Sequence, residues 1–108
     1  MLVQSGPSDP AREDEYNDWY SNRHLADVIA LDGFQSAQRF TLADPDRAKD
    51  APYKYLALYE AEDGRTEVAA KALATATREG RIYLSDALRT DPGAWWYRPI
   101  TDVKLYRP

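Results

Sequence analysis

The stretch from Glu13 to Phe34, EDEYNDWYSNRHLADVIALDGF, constrains this chain most. It reads as one long amphipathic helix closed by a glycine turn. Asp9 followed by Pro10 marks its start: an Asp side chain caps free N–H groups, and Pro fits the first helical position. Glu13, Asp14 and Glu15 follow where negative charge suits the helix dipole. Tyr16, Tyr20 and His24 lie four residues apart and stack as one ridge, which Val28 continues. Trp19 flanks that ridge. Asn17, Asp18, Ser21, Asn22 and Asp27 supply the polar face, and Asp32-Gly33 ends the element near Ala30 with turn chemistry.

The period then changes from helical to twofold. Phe34, Ser36, Gln38, Phe40 and Leu42 alternate with Gln35, Ala37, Arg39 and Thr41, as in a half-buried strand. Residues 43–52, ADPDRAKDAP, form a polar loop bounded by Pro. Tyr53 to Ala61 is the clearest strand. Tyr53, Tyr55, Ala57 and Tyr59 share one face, and Lys54, Leu56, Leu58 and Glu60 share the other. Both faces carry bulk, so both are expected to be covered, the second by another subunit. Glu62-Asp63-Gly64 is a turn. Thr66 to about Glu79 is a second helix, with Ala69, Ala72, Leu73 and Ala76 as its inner stripe and Gly80 as its stop. Leu2 to Ser5 reads as a first strand, broken by Gly6-Pro7-Ser8. Trp95 to Tyr106 reads as a last one, with Pro99 demanding an edge or a bulge. Arg81 to Leu88 fits either a short strand or a turn of helix, and Thr90 to Gly93 is a loop.

The order β-α-β-β-α-β is the split βαβ, ferredoxin-like arrangement: an α+β fold with a four-stranded antiparallel sheet and two helices on one face. At 108 residues the chain suits a single domain, residues 1–108. The net charge of −4, without a basic stripe, argues against nucleic acid as a partner. No apolar run reaches the roughly 20 residues that span a bilayer, and the N-terminus lacks the features of a signal peptide. The expectation is a soluble cytoplasmic protein. One His and no Cys leave too few ligands for a dedicated transition-metal site. Asp44, Asp46 and Asp50 lack the Gly and Glu of a calcium loop. No glycine-rich phosphate loop or nucleophile elbow is present.

Several patterns together resemble the dimeric α+β barrel superfamily, closest to its EthD-like branch. They are Tyr16-Asn17-Asp18-Trp19-Tyr20, His24-Leu25, Leu31-Asp32-Gly33-Phe34, Gln38-Arg39-Phe40 and the strand from Tyr53 to Glu60. The resemblance covers most of the chain. It implies a homodimer packed sheet to sheet, with a small-molecule cavity between sheet and helices in each subunit. Relatives include polyketide cyclases, cofactor-free monooxygenases, muconolactone isomerases and heme-degrading monooxygenases, so fold alone does not name the chemistry. The heme-degrading relatives draw Asn and Trp from strands, whereas Trp19 here shares the helix with the His, and no cofactor is expected.

His24 is the candidate acid/base, since a lone His on an aromatic face titrates near neutral pH; its plain alternative is a packed, hydrogen-bonded side chain. Tyr20 is the candidate donor to a carbonyl or enolate. Tyr16 and Trp19 would line a site for a planar ligand, or simply form the helix–sheet core. Arg39 would hold an anionic group, or form an interface ion pair. Tyr59 and Glu60 point to opposite faces, so at most one lines the cavity. Trp95 would close the pocket from the last strand. The reading is a cofactor-independent cyclase, isomerase, dehydratase, lyase or monooxygenase acting on a planar aromatic or polyketide-like compound. The alternative is a non-catalytic binding or accessory protein.

Overall fold

A computed structural model describes all 108 residues. Its strands are β1 (Leu2–Ser5), β2 (Phe34–Thr41), β3 (Tyr55–Ala61) and β4 (Gly93–Trp95). They form one antiparallel sheet in the order β2-β3-β1-β4. The two central strands are not consecutive in the chain. Each half contributes a strand, a helix and a return strand, which is the expected α+β arrangement.

The first helical element is a rod of four parts. Asp9 accepts a hydrogen bond from the Ala11 N–H at 2.8 Å, and Pro10 opens a short 3-10 turn. The rod continues as α1 (Glu13–Trp19), a π turn (Tyr20–His24) and α2 (Leu25–Ile29). The Leu25 N–H reaches back five residues to the Tyr20 carbonyl. The second helix, α3 (Thr66–Arg78), buries Ala69 and Ala76. Small residues on that face let it approach closely. Gly33, at φ +91°, leads the chain from the rod into β2 beneath α3, where a Cβ would stand 2.6 Å from the Ala69 nitrogen. Only Gly fits both the conformation and the space.

Both helical elements pack on one face of the sheet. Tyr16, Trp19, Tyr20 and Val28 from the rod meet Phe34, Ala57 and Tyr59 from the sheet and Ala69 from α3 in one core. Tyr16 also ties the rod to β1, its Oη 2.6 Å from Ser5 Oγ. The other sheet face is open. Phe40, Leu58 and Trp95 are exposed there, with Leu2 and Leu56 half-buried.

The structure departs from the sequence reading at several places: the expected single helix is interrupted by the π turn, and β3 begins at Tyr55 rather than Tyr53. Simple alternation assigns Phe34 to the side of Ser36 and Phe40. A bulge between Phe34 and Ser36 instead pairs Phe34 with Ala61 and places it in the core; one extra residue switches every side chain that precedes it. The last strand is Gly93–Trp95: it shares only Trp95 with the expected Trp95–Tyr106 and takes Gly93 from the expected loop. Trp95 pairs with Leu2, so β1 has almost no backbone left to offer, and Pro99 supplies no N–H. Residues 81–88 form neither a full strand nor a helix. They lie along the end of β1 through a bridge between Pro7 and Leu88, and through Ser8 N–H donating to the Ala87 carbonyl at 2.6 Å.

Candidate functional site

The π turn sets the site. Widening the helix by one residue swings the following side chains around the axis, and such turns recur at functional positions. Here His24 lies against two aromatic neighbours. Its ring stacks on Trp19, centroids 4.6 Å apart at 29°, and meets Tyr20 edge-on at 4.9 Å. Tyr20 in turn packs on Tyr16 at 5.8 Å. Tyr16, Tyr20 and Tyr59 are almost wholly buried.

Two nitrogen atoms in this cluster have no partner. Trp19 Nε1 and His24 Nδ1 are both buried and unbonded. A buried donor or acceptor left unpaired costs about 1–3 kcal/mol, so a neighbouring pair calls for a reason. Burial holds the His24 imidazole neutral, lowering its pKa from 6.5 to about 4, while Asp27 pulls weakly the other way.

The tyrosine hydroxyls form a second layer. Tyr59 Oη donates to Tyr20 Oη at 3.0 Å, so the Tyr20 proton finds no acceptor within the chain. Burial pushes the Tyr20 phenol up to about 12, and it pushes Tyr59 and Tyr16 up as well. Tyr20 is therefore a protonated donor at any working pH.

Arg39 reaches up from β2. Its guanidinium lies 4.6 Å from the Tyr20 ring centroid and 5.2 Å from those of Tyr16 and Tyr55. It donates to Ser21 Oγ at 2.8 Å and to Asn17 Oδ1 at 2.9 Å. No carboxylate is within ion-pair distance of it, although nine other ion pairs decorate the surface. Asn17 Nδ2 continues the network to Tyr55 Oη at 3.1 Å, and Tyr55 donates to Glu13, which also takes Lys54 Nζ at 2.8 Å. Arg39 is thus a half-buried cation held by neutral groups and aromatic faces.

Of the residues singled out from sequence, His24, Tyr20, Trp19, Tyr16, Tyr59 and Arg39 converge on one cluster. Trp95 does not. It stands 58% exposed on the open sheet face, opposite Leu2. Its neighbour Trp96 points the other way and reaches Phe34 at 5.9 Å. Asn17, Ser21, Tyr55 and Glu13, which position Arg39, were not singled out. The signal was the i, i+4 spacing of Asn17 and Ser21, which sets two acceptors on one flank of the Tyr16–Tyr20 ridge. A cleft of about 730 Å³ lies away from His24, at one end of the sheet beside Leu58, Glu60, Asp63 and Trp96. No three His, Asp or Glu side chains converge to hold a metal ion.

No family model matches this chain, and no solved structure matches it. Over 58 residues it is 38% identical to core atranone cluster protein 1 of Stachybotrys chlorohalonatus. The matched stretch is 53% of this chain and 23% of that protein, so the chain corresponds to under a quarter of its relative. No helix is long and apolar enough to cross a membrane.

Proposed function

We propose that this chain is a cofactor-independent enzyme of small-molecule biosynthesis, moving a proton on a planar, dicarbonyl-bearing substrate. The observation that carries the reading is the buried pair of unpartnered nitrogens, Trp19 Nε1 and His24 Nδ1. Trp19 can only donate, so it fits a carbonyl oxygen. Neutral His24 can accept, so it fits an acidic proton nearby. A base as weak as His24 takes a proton effectively only from an acidic position, such as the carbon between two carbonyls. The electron pair then moves onto the carbonyl oxygen. Tyr20 donates to that enolate, and the uncompensated charge of Arg39 stabilises it. Return of the proton at another position completes an isomerisation; alternatively the carbanion attacks a second carbonyl carbon of the substrate, whose C=O π pair moves onto its oxygen, and that oxygen takes the proton back from His24 to leave a ring alcohol. Tyr16 and Tyr59 serve as walls.

The likeness to a protein named for the core atranone cluster supports a place in a biosynthetic pathway. The β-α-β-β-α-β order and sheet topology support the dimeric α+β barrel reading, EthD-like by its motifs. In that reading a second copy covers the open face around Phe40 and Leu58. A second function is favoured by one observation: Tyr16 and Tyr59 are buried with their hydroxyls satisfied on Ser5 and Tyr20, so they brace Tyr20 and Trp19 rigidly rather than take part in chemistry. The site would then hold a ligand without turning it over.

Proton exchange separates the two. A planar aryl 1,3-diketone is dissolved in D2O with the protein, and loss of its central C–H signal is followed by NMR. The enzyme reading expects exchange well above buffer, reduced about 100-fold or more in His24→Gln while line broadening still reports binding. Binding without exchange in the wild type makes the protein a carrier. Neither binding nor exchange removes the case for a site at His24.

A further inference from the structure

Trp19 Nε1 and His24 Nδ1 are buried so completely that water does not reach them. A ligand that pairs with either atom therefore needs part of the fold to move. The rod, β3 and α3 are each fixed by their own helix or sheet hydrogen bonds. The stretch after α3 is not. The Arg81 N–H donates to the Ala76 carbonyl at 2.8 Å, and the Ser85 carbonyl accepts from the Leu88 N–H at 3.1 Å. Between these two anchors, residues 82–84 make no backbone–backbone hydrogen bond. Such a segment opens more readily than the helices and strands beside it.

The sequence places this segment over Trp19. Arg12, Trp19 and Arg23 are spaced seven and four residues apart, so they share one stripe of the rod. The chain is clasped at both ends of that stripe. At one end the Arg23 guanidinium lies 4.4 Å from the centroid of the Tyr83 ring. At the other, Arg12 donates to Asp86 Oδ1 at 2.6 Å and to the Asp86 carbonyl at 3.3 Å. Residues 83–86 therefore run along the rod from Arg23 to Arg12, across the indole on which His24 stacks.

The two clasps differ in strength. The Asp86 end is tied to the chain after β1, with Ser8 N–H donating to the Ala87 carbonyl at 2.6 Å and Arg89 N–H to the Gly6 carbonyl at 3.0 Å. The Tyr83 end has the Arg23 contact and the side chain of Ile82, which is buried but stands apart from the main core. Tyr83 itself is 49% exposed.

We propose that residues 82–84 form a strap that gates the Trp19–His24 site, closed while Arg23 holds Tyr83 and bowed outward to admit a planar ligand. The inference rests on the site proposed above and adds how a substrate enters it. Arg23 and His24 are neighbours in the π turn, so the latch and the base stand on the same turn of helix. Reclosure over a bound ligand would shut water out of the site.

The Trp19 indole N–H reports opening whether or not catalysis occurs. Its exchange in D2O is followed by NMR beside the amides of β3, each corrected for its intrinsic rate. In the wild type it is expected to be about tenfold or more faster than the slowest β3 amides, because the strap opens without the sheet. Arg23→Gln and Tyr83→Ala, both at exposed positions, are each expected to speed it about two- to fivefold, the loss of one partly exposed cation–π contact, with the β3 amides unchanged. The chain has no Cys, so Arg23→Cys with Tyr83→Cys can be joined by a short, reducible bis-maleimide. The cross-link is expected to slow indole exchange about tenfold or more and to stop proton exchange on the diketone, and cleaving the linker is expected to restore both. Indole exchange that matches the β3 amides, or that ignores both the latch variants and the cross-link, overturns the strap. Undiminished diketone exchange in the cross-linked protein also overturns it, yet leaves catalysis at His24 standing. Latch-dependent indole exchange in a protein that neither binds nor turns over the diketone keeps the strap and removes the enzyme reading.

Discussion

His24 is the only histidine, which makes its protonation measurable without ambiguity. Burial lowers its pKa from 6.5 to about 4 in the folded chain. Between those values the unfolded chain binds a proton that the folded chain refuses. Stability therefore rises with pH through this window and is lost as pH falls from about 6.5 to 4. The linkage relation gives a loss of about 2 kcal/mol between pH 7 and pH 5, and about 3 kcal/mol once pH is below 4. For a domain of this size 2 kcal/mol lowers Tm by roughly 10 °C. Other groups act mostly outside the window. The N-terminal ammonium, lowered by burial, acts toward higher pH, and Glu13, lowered by Lys54 and Tyr55, acts toward lower pH. The assay is urea unfolding of wild type and His24→Phe at pH 7 and pH 5. Phe keeps a flat ring against Trp19 and cannot titrate. Its advantage over wild type is expected to be about 2 kcal/mol larger at pH 5 than at pH 7. Equal pH slopes in the two proteins, or an NMR-titrated His24 pKa at or above 6.5, would refute the buried, neutral imidazole and the site built on it.

Gly33→Ala forces a Cβ onto a backbone at φ +91° and to 2.6 Å from the Ala69 nitrogen; it is expected to cost about 3 kcal/mol or more in urea unfolding. Gly80→Ala, equally at positive φ but with open space around it, is expected to cost only about 1 kcal/mol. Tyr59→Phe removes the donor to Tyr20 Oη and is expected to cost about 1–2 kcal/mol, with proton exchange retained. Tyr20→Phe is expected to slow exchange by about 100-fold. The double variant is expected to be more stable than the sum of the single changes, because no buried hydroxyl is then left unpaired.

Local chemistry was sufficient for much of the molecule. Asp9-Pro10, the Tyr16–Tyr20 step of the ridge, Asp32-Gly33 and the Ala stripe of the second helix each act over a few residues, and each stands where its own sequence places it; His24 and Val28 follow a π turn that the spacing did not give. The alternation in β3 likewise separates Ala57 and Tyr59 from Leu56 and Leu58. From these alone the order of elements follows, and with it the placing of Trp19 and Tyr20 on the helix beside His24. Tertiary structure decided the rest. The extent of β4 depends on where β1 ends, which no residue of β4 encodes. The face taken by Phe34 depends on a bulge set by pairing with Ala61. The placement of Trp95 outside the site follows from that same short strand. Whether His24 is charged depends on how completely Trp19 and Tyr20 exclude water from it, and whether Arg39 finds a counter-charge depends on which strand passes beneath which helical turn. Contacts between distant segments set those quantities, and neither periodicity nor propensity carries that information.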